Sequence, residues 1–409
     1  MMRRRLVPAG EHEIGADPMT NAGTPGGPLS GYRVVELGVW VAGPAAAGLL
    51  ADWGADVIKV EPPTGDPQRN IFGAVGVSDQ HGVPPFEIDN RGKRSVVLDL
   101  QFAEQRETME RLLATADVFV TNVRPDALRR LDLHHDDLLL RHPRLVYASL
   151  TGYGLDGPDA GRPGYDVGAF WARSGVAHTL VPPDEYPPAI RSGMGDHITG
   201  ITMASGILAK LLERSRTGVG GLVATSLLRT GMYTIGWDIG IQLRYGKRES
   251  TRPRHRNGAP LMHCYRTRDA RAVWLLMLQA DRHWPKLIAA LGRDDLAADE
   301  RFVDAKSRRL HSEQLIAELD AVFAQHDFDD LTARFDEHDV WWAPLNSIVD
   351  VIADPQAQAA GAFVDMSPRD GEPPYQAVNG PVDFGGYEFR PGPVPALGEH
   401  TEEVVRELD

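Results

Sequence analysis

The segment from Tyr32 to Glu61 restricts the possible folds more than any other part of this chain. It opens with a run of β-forming residues, Tyr32 to Leu37, and closes with a second run, Val57 to Glu61, stopped by two prolines. Between them lies an apolar stretch of small residues, Pro44 to Trp53. A proline near its start and a glycine just after its end are typical of helices. A strand, a helix and a strand within about thirty residues form the unit from which parallel sheets are built.

The same alternation of strands and helices continues along the chain. We predict strands at Ser95–Leu100, Val118–Thr121, Leu145–Leu150 and Leu222–Ser226. We predict helices at Ala103–Thr115, Pro125–Leu131, Ile198–Leu212 and from about Leu227 to Arg244. The pattern up to Leu150 predicts a doubly wound α/β domain with a parallel sheet.

Composition divides the 409 residues into four parts. Residues 1–28 cannot bury an apolar face and are predicted to be a disordered tail. Residues 29–226 and 340–409 are predicted to form one large α/β domain from the two ends of the chain, and residues 260–339 a smaller α+β domain. Residues 227–259 are predicted to be a linker helix and loop.

Charge and cysteine content exclude several classes of function. A formal net charge of −14 argues against a nucleic-acid-binding surface spread over the protein. The single cysteine, Cys264, rules out an intrachain disulfide and fits a reducing cytoplasm. No apolar run reaches the roughly 18 residues of a membrane span, and the basic start lacks the apolar core of a secretory signal. The histidines show no metal-ligand spacing. We therefore expect a cytoplasmic protein without a metal site and without membrane or nucleic-acid partners.

The stretch Gly193-Met194-Gly195-Asp196-His197 sets a carboxylate in a glycine-rich turn before an apolar helix. Asp196 can be the N-cap of that helix, which the spacing alone favours, or an exposed nucleophile. The glycines leave room for a large ligand to approach the backbone. Asp166 stands in a second turn, where it can cap the next segment or form a carboxylate pair with Asp196.

Candidate ligand-binding segments follow the ends of the predicted strands. Gly38 to Pro44 forms the first turn between a strand and a helix, where ligands of open α/β sheets collect. This turn does not match the dinucleotide fingerprint, and the chain has no phosphate loop, so nicotinamide, flavin and ATP chemistry lose their usual support. Two basic groups, Asn90 to Arg94 and Thr121 to Arg130, are either phosphate sites or solvated loops.

An ordered string of motifs extends from Gly31 to Leu408. Its members are Val35-Glu36-Leu37 through Ala42-Gly43-Pro44, Leu50 through Pro62, Asn90 to Asp99, Asn122-Val123-Arg124-Pro125, Gly152-Tyr153-Gly154, Arg216-Thr217-Gly218 and Leu397 to Thr401. Together they resemble the family III CoA-transferases, such as formyl-CoA:oxalate and crotonobetaine/carnitine CoA-transferases, and the α-methylacyl-CoA racemases of the same fold. The resemblance implies a Rossmann-like large domain and an interlocked homodimer. The active site would then lie between the large domain of one subunit and the small domain of the other.

The resemblance also implies covalent chemistry on Asp196, which aligns with the family's nucleophilic aspartate. Its carboxylate would attack an acyl-CoA donor to give an aspartyl acyl anhydride, which the CoA thiolate converts into an aspartyl-CoA thioester. A free carboxylic acid would then take up the CoA. Asp166 matches an acidic residue beside the nucleophile and is expected to support it, with Tyr165 as its neighbour in the catalytic site.

Coenzyme A is thus expected as a substrate, and no permanently bound cofactor is expected. Arg130 matches a CoA-binding arginine of the family. We expect the first turn and the two basic groups to contact CoA as well, through Val41, Ala42, Lys93, Arg94, Asn122 and Arg124.

Two alternatives stay open at this point. The racemases use a histidine as a base where this chain has Tyr165, and a tyrosine with its usual pKa near 10 is a poor base at neutral pH. A transferase is therefore favoured over a racemase or epimerase. The other alternative is a non-catalytic acyl-CoA-binding subunit of a heteromeric transferase, against which the presence of Asp196 speaks.

Departures from the family pattern bear on the substrate. Val41 stands where the oxalate enzymes carry a glutamine, Pro62 replaces a CoA-binding arginine of that subgroup, and Asn257 to Pro260 replaces a glycine-rich lid. Formyl-CoA:oxalate specificity is therefore not expected. Arg252, Arg254 and Arg256 either pair with a second carboxylate, which favours a dicarboxylate such as succinate, or belong to a solvated linker.

Overall fold

The computed structural model describes residues 26–78, 82–247, 251–366 and 374–409, so most of the predicted tail, residues 1–25, lies outside the described residues. The strands are β1 Arg33–Leu37, β2 Asp56–Glu61, β3 Arg94–Val97, β4 Val118–Thr121, β5 Val146–Thr151, β6 Gly221–Ser226, β7 Cys264–Arg266, β8 Ala272–Leu275, β9 Trp342–Pro344, β10 Phe363–Met366 and β11 Tyr375–Val378. The helices up to the end of the large sheet are α1 Ala42–Asp52, α2 Ile71–Ala74, α3 Pro84–Asn90, α4 Ala103–Ala114, α5 Pro125–Arg130, α6 His135–Arg141, α7 Val176–Thr179 and α8 Met194–Thr217. The later helices are α9 Leu227–Thr234, α10 Gly236–Tyr245, α11 Ala280–Leu291, α12 Asp294–Ala298, α13 Ala305–Leu310, α14 Ser312–Phe323, α15 Phe328–Glu337, α16 Ile348–Ala353, α17 Pro355–Ala359 and α18 Thr401–Glu407.

A six-stranded parallel sheet in the order β3-β2-β1-β4-β5-β6 forms the centre of the molecule, which confirms the predicted α/β class. The inner strands β1, β2, β4 and β5 are buried on both faces, as parallel strands require, whereas the edge strand β6 alternates half-buried and exposed residues. In β1, Val34 belongs to the core under α1 and α8, whereas Val35 and Leu37 belong to the core on the opposite face. The alternation along one strand thus supplies two separate cores.

The strand order creates a crevice between β1 and β4. The chain runs outward from β1 to β2 and β3, and then returns to place β4 on the other side of β1. Ligands of open parallel sheets bind outside the carboxyl ends of the strands at such a switch point. The segments after Leu37 and Thr121, the last residues of β1 and β4, meet there.

Two glycines let helices pack closely around α1. A Cβ at Gly48 would lie 2.6 Å from the carbonyl oxygen of Asp89 at the end of α3. A Cβ at Gly200 in α8 would lie 3.0 Å from Cβ of Ala45. Because real Cβ atoms essentially never approach backbone so closely, the short distance at Gly48 requires glycine. Both α3 and α8 are thereby brought against the first half of α1.

A second hydrophobic core lies between Leu261 and Val340 and is separate from those of the large sheet. It packs the three-stranded antiparallel sheet β7-β8-β9 against helices α11, α14 and α15. Tyr265, Phe323 and Phe335 are fully buried in it. The exact domain boundaries given above stay a prediction.

Two predicted elements differ from the structure. The predicted helix from Leu227 to Arg244 is interrupted at Ile235, whose backbone is not helical, and forms α9 and α10 instead. The predicted strand Ser95–Leu100 is the shorter β3, Arg94–Val97. Among the described residues, we find no helix with the length and apolar character that crossing a bilayer requires.

The end of the chain covers the outer edge of β3. The backbone N–H of His400 donates to the carbonyl oxygen of Ser95 at 2.9 Å, and the N–H of Val97 donates to Oγ1 of Thr401 at 3.0 Å. Arg94 at the start of β3 pairs with Glu407 of α18. An edge strand that would otherwise present unpaired backbone groups is therefore closed.

Candidate active site

The turn after β1 is held in place by the side chains of Asn122 and Asp66. The backbone N–H of Val39 donates to Oδ1 of Asn122 at 3.0 Å, and Nδ2 of Asn122 donates to the carbonyl oxygen of Val39 at 2.7 Å. The N–H of Trp40 donates to Oδ1 of Asp66 at 3.0 Å. Trp40 has a φ of 63°, a left-handed conformation that is rare for a bulky side chain. Asn122 therefore shapes the floor of the crevice, and its amide is engaged with the backbone.

A buried cluster of charges lies beneath this turn. Nζ of Lys59 is 2.7 Å from Oε1 of Glu36 and 2.9 Å from Oδ2 of Asp66, and it donates to the carbonyl oxygen of Gly38 at 3.2 Å. Nζ of Lys93 is 2.6 Å from Oε2 of Glu36. Burial favours a raised pKa for Glu36, but the ammonium groups of Lys59 and Lys93 outweigh it and lower the pKa. The carboxylate is thus kept ionised between two cations.

Asp196 lies in the first turn of α8, a helix of 24 residues that begins at Met194. Of the two alternatives given for Asp196, the N-cap does not hold, because Gly193 occupies that position with a φ of 77°. A Cβ at Gly195 would lie 2.6 Å from the ring of Phe170, and one at Gly193 would lie 3.7 Å from Cγ1 of Val41. Gly195 therefore lets the start of α8 pack against Phe170, and Gly193 lies within contact distance of Val41 in the turn that follows β1.

The carboxylate of Asp196 has no hydrogen-bond or ion-pair partner among the described residues. Its side chain is partly exposed. Burial, followed by the nearby charge of Asp166, raises the pKa of Asp196 to about 7. A carboxyl group whose pKa lies near neutral pH and which has no hydrogen-bond or ion-pair partner is typical of a catalytic acid, base or nucleophile.

Asp166 and Tyr165 reach the same place from the loop after β5. Oδ2 of buried Asp166 accepts a hydrogen bond from the backbone N–H of Gly195 at 3.3 Å, so Asp166 holds the start of α8 rather than capping the π-helical segment Val167–Arg173. Tyr165 is exposed, and its ring meets that of Trp40 edge to face with centroids 6.1 Å apart. The structure thus brings together Tyr165, Asp166 and Asp196, the three predicted catalytic residues.

His197 lies beside Asp196 in this site, although in sequence the histidines showed only the absence of a metal-ligand spacing. Its Nε2 lies 3.0 Å from Oδ1 of Asp89, a buried residue of α3. The hydrogen bond to Asp89 raises the pKa of His197 above its usual value. The two residues are 108 positions apart. No spacing pattern could therefore have revealed the pair, although a histidine directly after the candidate nucleophile was a signal.

Two of the predicted CoA-binding residues are placed differently by the structure. Lys93 is fully buried, with its ammonium group donating to Glu36, to the carbonyl oxygen of Pro44 and to Asn90. Arg94 lies at the amino end of β3, where it pairs with Asp56. Since the candidate site is at the carboxyl ends of the strands, both expectations are corrected.

The other predicted CoA-binding residues lie at the carboxyl edge of the sheet. Arg124 precedes the first residue of α5 and Arg130 is its last; both side chains are exposed. Val41 is half-buried at the start of α1, and Ala42 is buried. Asn122 lies between β4 and α5. Whether these residues contact CoA stays a prediction.

The described residues contain one group whose geometry could hold a metal ion. His134, His135 and Asp136 have ligand atoms within 4.8 Å of one another. They lie at the start of α6, and Asp136 donates its backbone N–H to Nδ1 of His134. This places the group outside the Asp196 site.

Comparisons with known proteins agree on one family. The model of "CoA-transferase family III" matches residues 29–401. The (R)-2-hydroxy-4-methylpentanoate CoA-transferase of Clostridioides difficile is 34% identical, with 93% of this chain and 95% of the relative covered. The succinate–glutarate CoA-transferase of Agrobacterium fabrum is 33% identical, with 93% and 96% covered. The crystal structure of a CAIB/BAIF family protein from Brucella suis matches with a TM-score of 0.81 and 32% identity, and 94% of this chain and 100% of that chain are covered.

Proposed function

Because the chain belongs to CoA-transferase family III and is an enzyme that acts on acyl-CoA and carboxylate substrates, we propose that it transfers CoA through covalent intermediates on Asp196. The observation that carries this proposal is the carboxylate of Asp196. It is without a partner among the described residues, lies beside the turn after β1, and has a pKa raised to about 7. Asp196 can therefore ionise near neutral pH, and the carboxylate is the nucleophilic form.

The first half-reaction moves CoA from the donor to the enzyme. An oxygen of Asp196 attacks the carbonyl carbon of the acyl-CoA, and the C–S bond breaks to give an aspartyl acyl anhydride and CoA thiolate. The thiolate then attacks the aspartyl carbonyl carbon of the anhydride. This releases the donor acid as its carboxylate and leaves CoA on Asp196 as a thioester.

The second half-reaction runs the same steps in the opposite sense. The acceptor carboxylate attacks the aspartyl-CoA carbonyl carbon and displaces the thiolate, which forms a second anhydride. The thiolate attacks the acyl carbon of this anhydride, so that acyl-CoA leaves and Asp196 is regenerated as a carboxylate. Each step exchanges one activated carboxyl derivative for another. The energy of the thioester is therefore conserved, and no permanently bound cofactor is required.

Supporting roles follow from the contacts at the start of α8. Asp166 fixes Gly195 through the backbone hydrogen bond and so holds the turn that carries Asp196. Tyr165 stands exposed beside Trp40, where it would line the entrance for the substrates.

We expect Arg130→Ala to weaken CoA binding by about 1–3 kcal/mol, the range for a charge-assisted hydrogen bond. Arg130 is exposed at the carboxyl edge of the sheet, where the pyrophosphate or the 3′-phosphate of CoA would lie. Titration calorimetry with CoA measures the change. Arg94→Ala is the matched control, because Arg94 lies at the opposite edge, and its affinity should equal that of the wild type. Equal affinities in both variants would exclude Arg130 from the CoA site.

The acceptor is proposed to be a dicarboxylate, recognised in part by the segment after α10. Arg254 forms an ion pair within the protein, because its guanidinium is 2.7 Å from Oδ1 of Asp320. Arg252 and Arg256 line a cavity of about 520 Å³ together with Lys306, Arg309 and Glu313, and Arg256 lies 3.9 Å from Glu313. Four basic side chains and one carboxylate leave this lining with a net positive charge, which supports a substrate with a second carboxylate. Succinate and glutarate, in the name of the Agrobacterium relative, are dicarboxylates, whereas the name of the Clostridioides relative gives a 2-hydroxy monocarboxylate.

An interlocked homodimer is part of the proposal. The side chains of Tyr233 in α9 and Trp237 in α10 are 87% and 84% exposed, and Leu243 is exposed nearby. Large apolar side chains grouped along two consecutive helices are typical of a surface that a partner covers. A second copy of this chain would bury them and would bring its small-sheet region to the Asp196 site.

The proposal is tested by trapping the covalent intermediates. We expect incubation with succinyl-CoA to add the mass of CoA to the intact protein, and a peptide digest to place the adduct on Asp196. Hydroxylamine should convert the adduct to a hydroxamate at that residue and inactivate the enzyme. Succinate should discharge the adduct faster than a short monocarboxylate, since the monocarboxylate lacks the second carboxylate. A protein that binds acyl-CoA without any adduct would instead be a non-catalytic binding subunit, and equal discharge rates for both acceptors would contradict the dicarboxylate.

A further inference from the structure

The pair formed by Asp89 and His197 is built into the site but has no role in the steps given above. Asp89 is buried near the end of α3, which Gly48 holds tightly against α1. The ring of His197 projects from α8 and its side chain is 41% exposed. The edge of the ring that meets Asp89 is therefore fixed by a buried carboxylate, while the remainder of the ring faces the site.

The hydrogen bond fixes which ring nitrogen faces the site. Nε2 of His197 lies 3.0 Å from Oδ1 of Asp89, and since a carboxylate accepts, the proton sits on Nε2. A Cβ at Gly193 would lie 3.7 Å from Nδ1 and 3.6 Å from Cε1 of His197. The Nδ1 edge therefore lies along the glycine turn that precedes Asp196.

The charges around Asp196 are mostly of its own sign. Asp166 from the loop after β5 and Asp89 from α3 both disfavour a second negative charge. His197 from α8 is the one group among those acting on Asp196 that favours the ionised form. Lys93, which approaches from β3, acts on Asp89 and is engaged with Glu36. The balance at the nucleophile thus depends on whether His197 carries a positive charge.

We propose that His197, oriented and kept protonated by Asp89, is a positioning residue that holds Asp196 in its ionised, nucleophilic form. The proposal rests on Asp196 as the nucleophile. Asp89 acts through His197: its carboxylate stabilises the imidazolium, and the imidazolium offsets the repulsion from Asp166. The result is a carboxylate that stays reactive near neutral pH although two other carboxylates are close by.

This arrangement predicts how the reaction depends on pH. Asp196 must lose its proton, so the rate rises as the pH passes about 7. When His197 loses its proton above the raised pKa of its imidazole, Asp196 is already ionised, so the rate stays at its plateau. If the positive charge is removed by substitution, the pKa of Asp196 rises, and the rising limb moves to higher pH while the plateau keeps its height.

His197→Gln separates the charge from the hydrogen bond. The glutamine amide has the reach to donate to Asp89 but carries no charge. We measure the rate of adduct formation with succinyl-CoA in single turnovers from about pH 5.5 to 9. The rising limb is expected to move up by about one pH unit, which lowers the rate about tenfold below pH 7 and leaves it near the wild-type value at high pH. The KM for succinyl-CoA should change little, because the substitution alters the ionisation of Asp196 and not that of the substrate.

Two further variants complete the test. His197→Lys restores a positive charge and should move the rising limb back toward the wild-type position. His178 is an exposed histidine of α7, and His178→Gln should leave the pH profile unchanged. A His197→Gln profile that parallels the wild type at every pH would overturn the role of His197. If the wild type forms no adduct at any pH, the proposed covalent chemistry itself fails, and the two failures are thereby distinguished.

Discussion

Asp196→Asn should reduce CoA transfer by about 10⁴-fold or more, because an amide cannot form the anhydride and the covalent route is lost. The loss should appear in kcat with every donor, and the mass of CoA should no longer be added to the protein. CoA binding itself should persist, since Asp196 contributes no phosphate contact. Steady-state assays with several acyl-CoA donors, together with calorimetry, separate these effects. Appreciable turnover in this variant would show that another residue is the nucleophile.

The same substitution should stabilise the folded enzyme at neutral and higher pH. The pKa of Asp196 is raised to about 7, so the unfolded chain ionises this group between pH 4 and 7 while the folded protein keeps the proton. Stability of the wild type therefore falls across that window and is lower above it, and asparagine removes the penalty. We expect a gain of about 1–3 kcal/mol at pH 8 that vanishes near pH 4, allowing for partial solvent exposure. Denaturant unfolding at the two pH values measures it. A gain that is equal at both would contradict the raised pKa.

Glu36→Gln should have the largest effect on stability, a loss of about 3–5 kcal/mol. The substitution leaves the buried ammonium of Lys93 with only neutral acceptors, the carbonyl oxygen of Pro44 and the side chain of Asn90. Lys59 retains Asp66 but loses its shorter contact. A buried cation without its counter-charge is costly, and the side chains of Lys59, Lys93 and Glu36 have no exposed surface.

Glu403→Gln is the matched control for this prediction. Glu403 also pairs with a basic side chain, Arg94, but its own side chain is 54% exposed. An exposed ion pair contributes about 0–1 kcal/mol, so the control should unfold at nearly the wild-type denaturant concentration. Similar unfolding midpoints for the two variants would mean that the Glu36 cluster is better hydrated than its burial indicates. The Glu36 variant should also lose activity, because Lys59 holds the turn after β1 through the carbonyl oxygen of Gly38.

Much of the large sheet could be predicted because the residues that determine each strand are neighbours in sequence. The strand Val118–Thr121 has the predicted bounds, and β2 and β5 differ by a single residue at the ends, since continuous apolar runs bounded by turn residues determine both ends. The interruption at Ile235 could not be predicted. The apolar pattern continues across it, and what stops the helix there is a backbone conformation without a local proline.

In the candidate site, too, the features that depend on sequence neighbours could be predicted and those that depend on distant partners could not. Asp196 and Asp166 were proposed as a carboxylate pair because each stands in a glycine-containing turn, a signal carried by neighbours in sequence, and the structure places the two close to each other. Lys93 and Arg94 were misplaced because their partners are distant: Glu36 is 57 positions from Lys93, and Glu407 is 313 positions from Arg94. A basic residue next to a strand end looks the same in sequence whether it faces a phosphate or a buried carboxylate.

The closure of β3 by the end of the chain has a consequence for how this protein is made. Ser95 and Val97 receive their outer partners from residues 305 and 304 positions later. During synthesis from the amino terminus, the strands of the large sheet leave the ribosome long before His400 and Thr401 do. An open strand edge is therefore presented throughout most of translation, a state that invites pairing with other nascent chains. Such long-range closure also slows folding, because the intervening loop must be ordered first. Expression yield should accordingly depend on chaperone supply, and fusions that obstruct α18 should be more harmful than their distance from Asp196 would indicate.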